Sequence, residues 1–348
     1  MPIQGFTRNR SHQFGLQSAL NTPVAATRRI AFRGVPDINP NWTDQDVDTG
    51  SIDPVLPAYR VGADITLPLT GMLDFHHIPM LMAAGIEGGV TPTGATAKTW
   101  THTTSSLSAT TLDYFTDEFA DDVNNNNSGP PEDGMQLYGG VAESLEFGFD
   151  ESLGPWTVSS TFRFSGVNAH VTPTSGLSVG SNLPLVFGAD TALYIDDTSG
   201  GIGSTLIADS LHSATVNISN TLDLKRFAQG SNTRFQIDGY GLSGRTITAT
   251  FRFAKTSQIV AALSSETVDW LNADPVNRYV SLVTTSENEA DTGVPYSWTQ
   301  NFSGTWRTRT DSEIGGNSVV ELSLTGRYDT GLGYAYRSTV VNTLATAP

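Results

Sequence analysis

Apolar and polar residues alternate with a period of two over much of this chain, and twice the alternation gives way to helical spacing. In the first case Val61, Ala63, Ile65, Leu67 and Leu69 share one face and Arg60, Asp64, Thr66 and Thr70 fill the other, ahead of an apolar helix over 78–84. In the second, Ile247, Ala249, Phe251 and Phe253 alternate with Thr246, Thr248, Thr250 and Arg252. A helix over 256–272 follows, with Thr256 or Ser257 as its N-cap and Asp274-Pro275 as its stop. A period of two puts successive side chains on opposite faces of a strand, and a period near 3.6 keeps one face of a helix apolar. The same order of elements met twice predicts a duplicated β-rich unit, and duplicated units build pseudo-symmetric assemblies.

Further strands are expected at 29–35, 99–104, 111–119, 145–149, 156–164, 185–196, 211–224, 278–284, 297–308, 319–326 and 334–344. The fold class expected is therefore mainly β: two tandem sandwich- or barrel-like units, each flanked by a short helix. On this reading residues 1–25 are a polar, mobile N-terminal arm. A first unit spans 26–175 and includes a long loop over 36–57; a second spans 176–348. The boundary falls in the stretch 166–183, rich in Gly, Ser, Thr and Pro. The segment 121–133, with four consecutive asparagines and Pro130-Pro131, reads as an exposed loop.

Composition narrows the partners. The chain has 348 residues, enough for two domains, and its net charge of −16 is concentrated in the middle. Residues 61–210 carry eighteen carboxylates against only Lys98 and Arg163. A phosphate backbone is held by Lys and Arg, so tight binding of DNA by this region is not expected, whereas letting DNA slide past would suit it. No apolar run reaches the ~18 residues of a membrane span, and residues 1–27, with Arg8 and Arg10, lack a secretory h-region. The absence of cysteine excludes disulfides and thiolate metal sites.

Several short motifs suggest chemistry and are better read otherwise. Gly239-Tyr-Gly-Leu-Ser-Gly244 matches a dinucleotide fingerprint, but that motif must open a helix, and 245–253 alternates as a strand; a glycine-rich hairpin is expected. Gly176-Leu-Ser-Val-Gly180 matches a hydrolase elbow, yet Pro173 and Pro184 flank it, as in a linker. His76 and His77 near Asp74 lack metal-ligand spacing and are placed where strand hands over to helix. Asp44, Asp46 and Asp48 depart from a calcium loop at Gly50 and Val55; weak calcium binding there or at 121–133 stays open. No catalytic residue, cofactor or metal ligand is assigned.

The run from Tyr59 through Leu69 and 78–85 to Thr91-Pro-Thr-Gly94 resembles the tail tube (major tail) proteins of long-tailed bacteriophages. So do the turn and strand over 137–147, the strand 156–164, and the later stretches 213–224 and 319–329, so the resemblance covers nearly the whole chain. It implies a structural virion protein, not an enzyme, made in the host cytoplasm and residing in the viral tail. Long hairpins would join neighbouring subunits into a continuous barrel, and stacked rings would form a hollow tube through which genomic DNA passes without specific binding. Single-unit members make hexameric rings, so a fused pair implies a homotrimeric ring of pseudo-sixfold symmetry. A tape-measure protein and tail-end proteins are the implied partners, with no membrane partner. One departure is that the halves share little literal identity beyond Thr-Phe-Arg-Phe at 161–164 and 250–253, which fall at different points of the two units.

Three expectations follow for that assembly. Carboxylates including some of Glu143, Glu146, Asp150 and Glu151 should make the inner wall net negative. Residues 1–25 and 36–57 should order only by packing on the adjacent ring, with Arg8, Arg10, Arg28 and Arg29 meeting acidic surface there. Deleting 1–25 should leave each subunit folded. The rival reading is a monomeric two-domain β-sandwich adhesin or carbohydrate-binding module, in which exposed Trp42, Trp298 and Trp306 would stack on sugars. A hydrolase, resting on the weak elbow match, comes third.

Overall fold

The computed structural model describes residues 10–43, 59–105, 111–120, 134–179, 183–227, 236–257, 259, 276–314 and 316–346. The first half contains β1 (Ser11–Gln17), β2 (Arg28–Ile30), β3 (Arg33–Gly34), β4 (Asp37–Thr43), β5 (Tyr59–Met72), helix α1 (Ile78–Gly85), β6 (Lys98–Thr103), β7 (Tyr114–Ala120), β8 (Met135–Phe149), β9 (Thr157–Phe164) and β10 (Gly166–Ala169). The second contains β11 (Thr191–Asp196), β12 (Leu206–Ile207), β13 (Leu211–Lys225), β14 (Gly239–Ala254), β15 (Arg278–Asp291), β16 (Val294–Ile314), β17 (Asn317–Gly326) and β18 (Tyr336–Asn342). The fold is mainly β. Its strands form one connected antiparallel sheet that does not close into a barrel within the chain.

Two long strands change partners midway. Residues 135–138 of β8 pair with β10 and 135–140 face β7, whereas 141–149 pair with β9 and β13. In the same way β16 pairs with β15 and β18 up to Gly304 and with β17 from there on. Each change folds the sheet over itself into two layers. Phe14 of β1 meets Phe162 of β9 with ring centroids 5.6 Å apart, and Phe302 of β16 meets Phe251 of β14 at 6.2 Å. A glycine stands at each crossing: a Cβ on Gly140 would collide with the Phe164 ring, and one on Gly304 with the Thr325 carbonyl.

The pairing scheme of the first half occurs again in the second. The order β2–β1–β7–β8–β9–β5–β4, with β10 beside β8, has the counterpart β12–β11–β15–β16–β17–β14–β13, with β18 beside β16. The irregularities coincide as well. Glu143 is the extra residue where β8 bulges against β9, and Arg307 is the extra residue where β16 bulges against β17. Val61 bulges from β5 against β4, and Ser243 from β14 against β13. Bulges re-aim a strand and end a stretch of pairing, so matched bulges mean matched bends.

Among the described residues two strand pairings join the halves, β8 with β13 and β6 with β18, beside isolated bridges at Asp74–Leu185 and Pro155–Phe187. Beneath them the core is continuous. Phe147 of β8 and Trp156 lie 5.5 and 5.2 Å from Trp298 of β16, ring centre to ring centre, edge to face. Helix α1 is apolar at every position and buried at every position, so it needs walls on all sides. Its last carbonyls are satisfied from the other half: Arg245 of β14 donates to the Gly85 and Ile86 carbonyls at 3.1 and 3.0 Å, and Asn220 of β13 donates to Gly85 at 2.9 Å. Burial pulls the Arg245 guanidinium down to about 10.

Several sequence expectations need correction. The span 1–25 is not an arm throughout: β1 lies within it, paired on both edges by β2 and β7, with Phe14 fully buried. His12 and Gln17 are buried with partners, Asp117 for one and the Thr116 hydroxyl and Gly139 N–H for the other, which a polarity pattern does not register. Arg28, expected to reach a neighbouring ring, is instead half-buried near Asp74 of its own chain. The loop expected over 36–57 begins as strand β4, with 44–58 outside the described residues. Residues 239–244 lie inside β14 and not in a turn; the motif's glycines stand opposite the outer end of β13. The boundary stretch 166–183 begins with β10. At the second helix the Thr256 hydroxyl accepts the Ile259 N–H at 3.3 Å, an N-cap contact; residues 260–275 lie outside the described residues.

Candidate functional surface

Eight strands line up as one continuous sheet in the order β4–β5–β9–β8–β13–β14–β17–β16. One face is apolar and buried through Ile65, Leu67, Leu69, Phe162, Leu145, Phe147, Val216, Ile218, Ala249, Phe251, Leu322 and Leu324. Register places Thr66, Thr70, Ser159, Thr161, Thr215, Ser219, Thr248, Thr250, Ser323 and Thr325 on the opposite face. These are half-buried or exposed, so the outward face is a field of hydroxyls. Threonine satisfies both demands at once: its β-branch favours the strand and its hydroxyl stays solvated.

The two Thr-Phe-Arg-Phe tetrapeptides occupy this sheet in different strands, β9 and β14, and each does the same thing locally. The phenylalanines Phe162, Phe164, Phe251 and Phe253 are fully buried, and the arginine between them points to the hydroxyl face. Arg163 stands between Glu143 at 3.2 Å and Asp64 at 3.6 Å. Arg252 stands between Glu151 at 2.7 Å and Glu321 at 3.3 Å. Such part-exposed pairs stabilise the fold by only ~0.2–1 kcal/mol each. Their consequence is electrostatic: each of these cations is already neutralised by two carboxylates. Of the four acidic residues expected to charge an inner wall, Glu143 and Glu151 are these partners, Glu146 accepts from Asn217 at 3.4 Å, and Asp150 closes its own turn on Ser152. The ion pairs thus hold both arginines among four carboxylates, and the carboxylates outnumber the cations, so this part of the face keeps an excess of negative charge.

The other residues singled out by sequence have local roles. Asp74 Oδ1 accepts the backbone N–H groups of His76 and His77 at 2.9 and 3.1 Å, and Oδ2 pairs with His77 Nδ1, closing the turn into α1. Trp298 and Trp306 are buried against aromatic rings, while Trp42 is 61% exposed. Residues 176–179 are irregular chain; the aspartates at 44–48 and the segment 121–133 lie outside the described residues. An open groove of about 920 Å³ at one end of the hydroxyl face is lined by Arg33, Met72, Glu146 and Asp150 and has no histidine in its lining.

Sequence reasoning missed one buried ionic pair. His12 of β1 holds Asp117 of β7 through Nδ1 at 2.9 Å, and its Nε2 lies 3.3 Å from the Gly34 carbonyl. Burial opposes a charge on His12, but the facing Asp117 carboxylate outweighs it and raises the pKa. Both ring nitrogens face oxygen acceptors, which fits an imidazolium. The two residues are 105 positions apart, and nothing in either local pattern marks them as partners.

No family model matches the chain, and no curated protein sequence matches it.

Proposed function

We propose that this chain is a structural protein of a bacteriophage tail, assembling as stacked rings into the tube through which DNA leaves the virion. The observation that carries this reading is the pairing scheme that occurs twice, down to matched bulges and crossing glycines. A chain built of two equivalent units joined edge to edge, with a further edge at each end that is open among the described residues, suits a closed ring; closure removes those edges. Three copies would supply six equivalent units. The hydroxyl face would line the channel. Its partners would be further copies of itself, tape-measure and tail-end proteins, and passing DNA, with no catalytic step. Burial of Trp298 and Trp306 weakens the sugar-binding alternative, since stacking on a sugar needs an exposed ring. Negative-stain imaging and native mass of the purified protein test the proposal: rings or tubes with three chains per ring are expected. Compact monomers would overturn it, and six chains per ring would overturn the equivalence of the two halves.

The ion pairs make a second prediction. A phosphate backbone binds by releasing counterions to unpaired cations. Arg163 and Arg252, each held between two carboxylates, are withheld from that role. Replacing Asp64→Asn, Glu143→Gln, Glu151→Gln and Glu321→Gln together frees both arginines, and with them Arg226, which Asp64 also pairs at 3.8 Å. The variant should retain duplex DNA at low salt where the wild type does not, with affinity falling by a log–log slope of ~0.9 per phosphate contacted. Equal retention by both in a filter assay would remove these pairs from any role in passage.

A further inference from the structure

We propose that β16 of one chain pairs antiparallel with β4 of a second copy, Asp37 opposite Thr310 and Asn39 opposite Thr308. The proposal rests on the ring-forming reading for the identity of the partner, but its register comes from the chain's own internal joint. Within the chain, β8 and β13 pair with Ser219 opposite Ser144 and Asn217 opposite Glu146. The matched bulges carry β8 onto β16, with Glu143 falling on Arg307 and so Glu146 on Thr310. The bulges at Val61 and Ser243 carry β13 onto β4, with Thr221 falling on Asn41 and so Asn217 on Asp37. The strand that β8 pairs with is therefore the counterpart of β4, and the strand that β13 pairs with is the counterpart of β16.

Both counterpart edges are open. Among the described residues β4 pairs only with β5, and beyond Gly304 β16 pairs only with β17. An unpaired edge presents a row of N–H and C=O groups ready for another strand. The two edges lie at opposite ends of the eight-strand order, so they cannot satisfy one another across that sheet unless it closes, whereas a head-to-tail contact between copies satisfies both. Local chemistry agrees. At the internal joint Asn217 donates to Glu146 at 3.4 Å; at the proposed joint the Thr310 hydroxyl would donate to the Asp37 carboxylate. Ile38 is only half-buried, whereas its counterpart Ile218 is fully buried beside β8. Val35 and Trp42, 43% and 61% exposed, flank the segment and would gain cover. Pro36 and Pro40 bracket it, which confines the ladder to Asp37–Asn39 and stops the edge from extending onto an arbitrary strand.

The chain contains no cysteine, so crosslinks can be read without background. Asn39→Cys and Thr308→Cys are made separately, mixed, assembled and oxidised; directly opposed strand residues lie within the Cα separation a disulfide accepts. A covalent dimer should form in the mixture, not in either variant alone, and at least tenfold less when Arg309→Cys replaces Thr308→Cys, because a one-residue shift turns the side chain to the other face. Ser144→Cys with Ser219→Cys in one chain should close internally at the same rate and calibrates the geometry. Loss of rings on substituting either exposed residue would also place that edge in the contact. Rings that form with the thiols free, or crosslink best in the shifted register, would overturn this joint and leave the ring reading standing. The ring reading itself fails only if the wild type forms no rings.

Discussion

Removal of residues 1–17 is expected to unfold the chain, whereas removal of 1–9 is expected to leave its melting temperature within a few degrees of the parent. The difference is β1. Its deletion takes away Phe14, which is fully buried against Phe115 and Phe162, and loss of a buried phenylalanine costs about 3–5 kcal/mol. It also removes His12 and leaves the Asp117 carboxylate buried without its cation; breaking a buried pair costs about 3–5 kcal/mol. Gln17 goes too, with its hydrogen bonds to the Thr116 hydroxyl and the Gly139 N–H. Together these losses rival the ~5–15 kcal/mol that separates folded from unfolded states. Circular dichroism against temperature on the two truncations decides the matter. A cooperative transition in the 1–17 deletion near that of the parent would show that β7 is sealed without β1.

The second large effect is expected at Trp298, where the two halves share a core. Trp298→Ala should lower stability by about 3–5 kcal/mol. Three losses combine there: edge-to-face contacts with Phe147 and Trp156, and the indole N–H donated to Ser338 Oγ at 2.8 Å, which leaves that hydroxyl without its donor. Because Phe147 belongs to β8 and Trp298 to β16, a double-mutant cycle with Phe147→Leu should show coupling of roughly 0.5–1.5 kcal/mol. Denaturant titration with fluorescence and far-ultraviolet detection supplies the numbers. Additive effects, or a first half that melts unchanged, would show that the halves are stabilised separately and meet only through strand pairing.

Much of the strand content could be read from alternation alone. β5, β9, β13, β14 and β17 each carry an apolar face against a hydroxyl or charged face and bury most of the face that the pattern marks; Val61 of β5 is the exception, 52% exposed because it is the extra residue of the bulge against β4. The apolar run from Ile78 also marked α1 close to its observed bounds. The order of strand and helix on either side of the centre suggested a repeat. What alternation determines is which face of a strand is dry, because that depends on the strand's own residues.

Partner choice is a different quantity, set by contacts far apart in sequence. That is why β1 was invisible: Ser11, His12 and Gln13 are polar, yet they are buried because Asp117, Glu118 and the strands around them occupy the places water would take. The same holds for β8 and β16, whose alternation runs on while their neighbours change, with only Gly140 and Gly304 marking the crossings. It holds for the two Thr-Phe-Arg-Phe segments, identical in sequence but set in unlike strands, each arginine finding a different pair of carboxylates. By itself the sequence determined most of the buried faces and the polar character of the surface, while turns such as the one expected at 239–244 went to strand. Only the tertiary structure decided which edges meet, since hydrogen bonds between backbones carry no side-chain code and register is chosen by bulges, crossings and the shape of the shared core.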